Sequence, residues 1–167
     1  MAKKFTSWSQ TNSKEQTEDY GIEGGFSIKG LVGYHSFKTI MDGAYYVQIL
    51  QDHLIRSGRK QFGRRWRLQQ DNDPKHKSRV AQQFLSREVP EVIDWSSNSP
   101  DANPVENLWS IIKRRVEKRK PTNLEELDKF LHEEWDKTDM VVLNHLINSM
   151  KSRCLALIES KGERINY

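Results

Sequence analysis

Two acidic residues stand where a carboxylate could do metal or acid–base chemistry. Asp71 closes a run, Trp66–Asp71, that predicts a short strand, and carboxyl ends of strands are where α/β folds place ligand sites. Glu106 falls in the first turn of a predicted helix, where the helix dipole helps keep a carboxylate ionised. Between them lie 34 residues, enough for one strand, one helix and one more strand. That connection would bring both carboxylates to one edge of a sheet.

Each of these residues also has a purely structural interpretation. Asn103-Pro104-x-Glu106 is typical of a capping box, in which the Glu side chain accepts from the N-cap amide. Asp71 could brace an Asx turn before Pro74. His76 lies in the same turn, and a single turn histidine is more often structural than functional. The residues alone leave these alternatives open.

The predicted elements that would position the two acids alternate between strands and helices. Residues 23–38 read as two short strands with a turn at Gly30, and Val92–Trp95 as a further buried strand. Helical spacing covers Met41–Ile55, with an end at Gly58, and residues 77–88. Ser96–Pro104 is a predicted loop. This order indicates an α/β fold, a mixed sheet flanked by helices.

The chain beyond Pro104 is predicted to be helical. Three apolar stripes follow, spanning 105–116, 124–131 and 143–157, and the third includes Cys154. Trp109 lies on the first stripe beside Leu108 and Ile112, so we expect its side chain to be buried.

Composition excludes several classes of protein. The chain has 167 residues, 27 Lys and Arg against 23 Asp and Glu, and a net charge of +4, which suits one domain with a real core. Its single cysteine allows neither a disulfide framework nor a CxxC zinc site. No secretory signal and no apolar run long enough for a membrane span is expected, so a membrane partner is not predicted.

The basic residues are concentrated in two regions. The first region holds Arg56, Arg59, Lys60, Arg64, Arg65, Arg67, Lys75, Lys77 and Arg79, and the second holds Lys113, Arg114, Arg115, Lys118, Arg119 and Lys120. Together they contain 15 of the 27 cations, whereas acids concentrate in 125–139. Such asymmetry points to an anionic polymer, although a charge run can equally be a solvated helix face.

Three segments resemble the catalytic core of mariner-superfamily (Tc-like) DDE transposases. They are Gly25–Gly30 (GFSIKG), Gln70–His76 (QDNDPKH) and Ser99–Trp109 (SPDANPVENLW). The family carries its second acid in a QDNDPKH segment and its third in an SPDLNPIEHLW segment, with 34 residues between them. The sequence matches both segments and the interval, so Asp71 and Glu106 fall at the family's catalytic positions.

The resemblance implies a ribonuclease-H-like fold, DNA cleavage and strand transfer, and two divalent ions, Mg²⁺ or Mn²⁺. Asp71 would hold one ion and Glu106 the other, beside the reacting phosphodiester. DNA, at transposon ends and target, would contact basic residues: Arg64, Arg65, Lys75, Lys77, Lys113 and Arg114. Members of the family generally act as dimers, which implies a homodimer, and a eukaryotic member would work in the nucleus.

The sequence also departs from the family pattern near its start. Residues 1–20 are polar and read as a flexible tail, leaving 21–167 as a truncated catalytic domain without its first strand or first acid. Asp19 and Glu23 lie too close to Gly25 to replace that acid. The helix-turn-helix region of the family is not found either. Two hypotheses follow: an enzyme-derived fragment, inactive by itself, or a non-catalytic remnant that binds DNA or a transposase.

Overall fold

The structure is a computed structural model that describes residues 20–95, 102–161, 163 and 165, together with the backbone of residues 3–12. The predicted loop Ser96–Pro104 falls largely outside the described residues, and so does Asp19.

A four-stranded mixed sheet organises the chain. Its order is β3–β2–β1–β4, with β1 at Lys3–Asn12, β2 at Gly21–Ser27, β3 at Gly30–Phe37 and β4 at Trp66–Gln70. Strands β2 and β3 form the predicted antiparallel hairpin, and β1 pairs antiparallel with β2 and parallel with β4. Gly30 closes the hairpin turn at a φ of 124°, which L side chains rarely adopt. The predicted α/β fold class is confirmed.

The prediction that the sheet lacks its first strand is wrong. Residues 3–12, predicted as part of a flexible tail, form β1 in the middle of the sheet, with Trp8 opposite Gln70 of β4. Local polarity misled the prediction, because strand formation here depends on pairing with two neighbouring strands rather than on apolar alternation. The sequence of β1, KKFTSWSQTN, contains no carboxylate.

The first helical stretch is longer than predicted. Helix α1 (Gly43–Ile49) runs through a π-helical segment (Leu50–Ile55) into α2 (Arg56–Phe62). Gly58 does not end it: a Cβ there would lie 2.9 Å from the Trp66 ring, so the glycine permits close packing of the helix against β4. The helix ends at Gly63, whose φ is 63°.

After β4 the chain forms α3 (Arg79–Glu88), close to the predicted helix 77–88. The prediction of a buried strand over Val92–Trp95 is wrong in its extent. A single parallel bridge joins Val92 to Leu68, and Val92 is 36% exposed. The Asn72 side chain donates a hydrogen bond to the Trp95 carbonyl at 2.7 Å. A loop side chain therefore partners a backbone carbonyl that a neighbouring strand would otherwise have paired.

Four helices follow Asn103. They are α4 (Pro104–Arg119), α5 (Leu124–Asp136), α6 (Met140–Asn148) and α7 (Met150–Glu159). The third predicted stripe is therefore two helices, divided at Ser149, and Cys154 is exposed rather than part of an apolar face. None of the helices in the described part is long and apolar enough to cross a membrane.

The apolar side chains form two clusters, one against each face of the sheet. Helices α1–α3 share one cluster with β3 and β4, and α4–α6 share the other with β2. Strand alternation divides β2 in the same way, with Ile22 and Phe26 facing α4–α6. Trp109 is 1% exposed and stacks on Trp135 at 4.7 Å, which confirms its predicted burial.

Candidate active site

Asp71 directly follows β4, at the carboxyl end of the strand. Its Oδ1 accepts a hydrogen bond from the Asp73 backbone N–H at 3.2 Å, which is the Asx turn anticipated from the sequence. The turn is tightened further because the His76 N–H donates to the Asp73 carbonyl at 2.9 Å. Bracing the turn uses one carboxylate oxygen and therefore leaves Asp71 able to act as a ligand through the other.

His76 lies against Asp71 and is fully buried. Its Nδ1 is 2.7 Å from Asp71 Oδ1, and the Tyr46 ring stacks on the imidazole at 4.1 Å. Burial alone would lower the pKa of His76, but Asp71 and Glu23 outweigh it and raise this pKa to about 9. The ring is therefore an imidazolium at neutral pH.

Glu23 is the acidic residue that the sequence reasoning set aside. It sits on β2 with its side chain completely buried, and its Oε1 is 4.0 Å from His76 Nε2. Burial raises the pKa of the Glu23 carboxyl, and His76 offsets part of that rise. The available signal was an acid in the middle of a buried, glycine-rich strand, IEGGF, where an apolar residue is expected.

Glu106 lies in the first turn of α4, as predicted. Asn103 caps the helix by accepting from the Val105 N–H at 3.4 Å, and Pro104 occupies the first helical position. The buried face of α4 contains Val105, Leu108 and Trp109, which anchor this turn in the core.

The topology brings the elements that carry Asp71 and Glu106 to a shared strand. Helix α4 packs against β1, and β4 pairs in parallel with β1. The helix that carries Glu106 and the strand that ends at Asp71 are thus both neighbours of β1. That their carboxyl oxygens lie within about 8 Å, as a shared metal pair requires, remains a prediction.

The donor set suits a hydrated, hard cation. Mg²⁺ keeps several waters and often takes one or two carboxylates, which Asp71 and Glu106 would supply. Among the residues that the structure describes, no three His, Cys, Asp or Glu side chains are grouped as metal ligands. The β1 sequence adds no carboxylate to this set.

Three of the predicted DNA-contacting residues lie apart from Asp71 or are paired beside it. Arg64 and Arg65 precede β4 and are exposed, so the five-residue strand separates them from Asp71 by roughly 16 Å. Lys75 pairs with Asp73 at 2.7 Å, and its side chain is only 11% exposed. These three residues are therefore poorly placed to contact a phosphate at Asp71.

Lys77, Lys113 and Arg114 are exposed. Lys77 borders a cleft of about 430 Å³ beside Asp71, which Asn72, Asp94 and Trp95 also line. On α4, burial lowers the pKa of Lys113 and the charge of Glu106 counteracts it, which places Lys113 within electrostatic reach of Glu106. Lys77 and Lys113 are thus the predicted cations with an observed link to one of the two acids.

Comparison with known proteins agrees with this geometry. Residues 3–128 match the model of the DDE superfamily endonuclease family. The chain is 33% identical over 146 residues to the Tcb2 transposase of Caenorhabditis briggsae, covering 87% of this chain and 54% of that protein. It is 38% identical over 128 residues to the Tcb1 transposase of the same species, covering 76% and 46%.

Solved structures show the same fold at low sequence identity. The catalytic domain of the Mos1 mariner transposase superposes with a TM-score of 0.86 at 18% identity, covering 99% of this chain and 85% of that one. Mos1 structures include the catalytic domain with Raltegravir and Mg, and a pre-cleavage transpososome with a TM-score of 0.83, 17% identity, and coverage of 99% and 57%.

The mixed sheet with helices on both faces thus has the ribonuclease-H-like fold of the Mos1 catalytic domain. The chain belongs to the DDE superfamily endonuclease family, and its relatives are Tc1-type transposases. It spans about half the length of the relatives it matches.

Proposed function

We propose that this chain is a DDE-type domain for cleavage and strand transfer of transposon DNA. The observation that supports this proposal most strongly is Asp71, which ends β4 beside the central strand of a transposase fold. Its partner acid Glu106 lies at the start of a helix that packs against the same central strand. Relatives named as transposases match the chain over both acidic segments.

The two acids are proposed to act through Mg²⁺ or Mn²⁺. Asp71 would bind through the oxygen that does not brace its turn, and Glu106 would bind from the first turn of α4. A bound ion would polarise the phosphodiester and stabilise the leaving oxygen. The chain's own contribution is to hold both carboxylates ionised and at fixed positions before the ion arrives.

DNA is the proposed partner, held mainly by Lys77, Lys113 and Arg114. Because these contacts neutralise phosphates, affinity should fall steeply with salt. Mos1 is known in paired-end and strand transfer complexes, which supports transposon ends and target as ligands and a homodimer as the working form. In a eukaryotic cell such a substrate places the protein in the nucleus.

A nicking assay on supercoiled and end-labelled DNA tests the proposal. We expect cleavage that requires Mg²⁺ or Mn²⁺ and is lost in both Asp71→Asn and Glu106→Gln. Glu126→Gln is a matched control, since Glu126 also lies three residues after an Asn N-cap, on α5. Cleavage that survives in both acid variants would reject the catalytic reading.

A second candidate is a non-catalytic DNA-binding domain, which the carboxylate-free sequence of β1 favours. Ser9 is the β1 residue after Trp8, which pairs with Gln70, so Ser9→Asp adds an acid at the strand position nearest Asp71. A wild-type chain that binds DNA in a salt-sensitive way without nicking it, together with nicking by Ser9→Asp, would establish this second candidate. Equal nicking by both proteins would reject it.

A further inference from the structure

A row of three ionisable side chains runs inward from the candidate site. Asp71 Oδ1 contacts His76 Nδ1 at 2.7 Å, and His76 Nε2 faces Glu23 Oε1 at 4.0 Å. Asp71 is 36% exposed in its side chain, whereas His76 and Glu23 are fully buried. The imidazole therefore has a carboxylate at each ring nitrogen, one at the surface and one inside the protein.

Packing alone does not account for Glu23. Among the residues that the structure describes, neither of its oxygens has a hydrogen-bond partner, and His76 approaches both carboxyls at ion-pair distances rather than in hydrogen-bond geometry. Burying a carboxylate in this way carries a desolvation cost that an apolar side chain would not. His76 Nε2, 4.0 Å from Glu23 Oε1, is the cationic atom that faces this carboxyl, so the ring is a direct physical link between Glu23 and Asp71.

Building on the proposed function, we infer that His76 is a positioning residue for Asp71 and that Glu23 holds His76 in place. The imidazole occupies Oδ1, together with the Asp73 N–H, and so restricts rotation of the carboxylate. Oδ2 is then presented to an ion in one orientation. Tyr46 limits motion of the ring on one face, and its own hydroxyl donates to Gln70 at 2.7 Å.

The two ring nitrogens of His76 would then have different roles. The Nδ1 side touches the proposed ligand, whereas the Nε2 side faces the interior. An Asn side chain carries its amide nitrogen near the place of Nδ1, and a Gln side chain carries it near Nε2. His76→Asn and His76→Gln therefore form a matched pair that separates the two contacts.

Mn²⁺ binding to the full chain, measured as free Mn²⁺ by electron paramagnetic resonance, provides the first test. We expect His76→Gln to raise the Kd by about 10-fold or more, the range typical of residues that orient metal ligands. His76→Asn should stay within about threefold of wild type. His35→Gln, which removes a histidine paired with Tyr45, is the control for loss of an imidazole. Equal Kd values in the two His76 variants, whether changed or unchanged, would overturn the inference.

A second test requires no metal ion, so it separates failure of the positioning role from failure of the proposed function. In the ¹⁵N–¹H spectrum of the imidazole side chains, the His76 Nδ1–H signal should shift in Asp71→Asn and in Glu23→Gln, but not in Glu106→Gln. A His76 Nδ1–H signal that does not shift in Asp71→Asn would overturn the positioning role. A chain that shows this shift but binds no Mn²⁺ would contradict the proposed function and leave the positioning contact intact.

Discussion

Two helices of the molecule begin with the same local pattern and in different surroundings. Helix α4 starts at Asn103 with Glu106 three residues on, and α5 starts at Asn123 with Glu126 three residues on. Asn103 is 2% exposed, whereas Asn123 is exposed at the surface. The Asn-x-x-Glu pattern is therefore shared, and burial of the helix start is a tertiary feature that separates a candidate catalytic acid from a solvent-exposed cap.

Glu126 illustrates the structural role that a glutamate can have in the first turn of a helix. Its Oε2 accepts hydrogen bonds from both the backbone N–H and the hydroxyl of Thr122, each at 2.8 Å. These hydrogen bonds lower the pKa of the Glu126 carboxyl, and the bond from the Thr122 backbone contributes more than the bond from its hydroxyl. A glutamate at this position can thus serve a helix end without any ligand, which is why the spacing of Glu106 did not decide its role.

The largest expected difference between the two helix starts is in activity. Glu106→Gln should reduce metal-dependent nicking at least ~100-fold, because losing a ligand costs no less than losing a residue that orients one. Glu126→Gln should leave nicking within about twofold and slightly lower the melting temperature. Nicking assays and thermal melts on both variants check this, and an equal loss of nicking would remove the distinction.

The buried face of α4 should dominate stability. Trp109→Ala removes a 1%-exposed ring that stacks on Trp135 and should lower the free energy of unfolding by about 3–5 kcal/mol. Trp109→Phe should cost less, because part of the stacking remains. Urea unfolding measures both changes, and a loss below about 1 kcal/mol for the alanine variant would contradict the placement of α4.

The β4 end should respond to pH in a way that neither helix start does. The pKa of His76 in the folded protein is raised to about 9 from the ordinary value of 6.5. The contribution of the charged His76 ring to the free energy of unfolding is therefore complete below pH 6.5. It is lost as the pH rises through about 9, and amounts to at most about 3 kcal/mol. Unfolding curves in EDTA between pH 6 and about 9.5 should show this fall in wild type and a flatter profile in His76→Asn. Parallel profiles would contradict the charged state assigned to His76.

The smallest predicted contrast concerns the caps themselves. Asn103→Ala should cost about 2 kcal/mol, because it leaves the buried Val105 N–H without its acceptor. Asn123→Ala should cost about 1 kcal/mol, because water can replace the lost acceptor of the exposed Glu126 N–H. Denaturant unfolding of the two variants compares them, and a reversed order would show that burial does not set the cost.

Much of the fold was predictable because local signals agreed with tertiary structure. The β2–β3 hairpin, the strand before Asp71 and the burial of Trp109 all followed from alternation, glycine placement or helical periodicity. Strand β1 was missed because a polar segment became central through pairing with β2 and β4. Gly58 misled because its role is close packing against Trp66 rather than helix termination.

The candidate site was only partly predictable. Asp71 and Glu106 stood out through their motifs, but the same reasoning dismissed Glu23 by its distance along the chain. Chain distance does not show that the alternation of β2 turns Glu23 toward His76 while Ile22 and Phe26 face α4–α6. Likewise, Arg64, Arg65 and Lys75 were grouped by charge alone, and the structure separates two of them from the acids and pairs the third with Asp73.

The central proposal is that Asp71 and Glu106, held by different elements, bind divalent metal together. Calorimetric titration of Mn²⁺ into wild type, Asp71→Asn, Glu106→Gln and the double variant tests it most directly, with circular dichroism confirming that each variant is folded. The account predicts that either single substitution removes most of the ion uptake and that the double variant loses no more. Uptake by Glu106→Gln equal to that of wild type would contradict it.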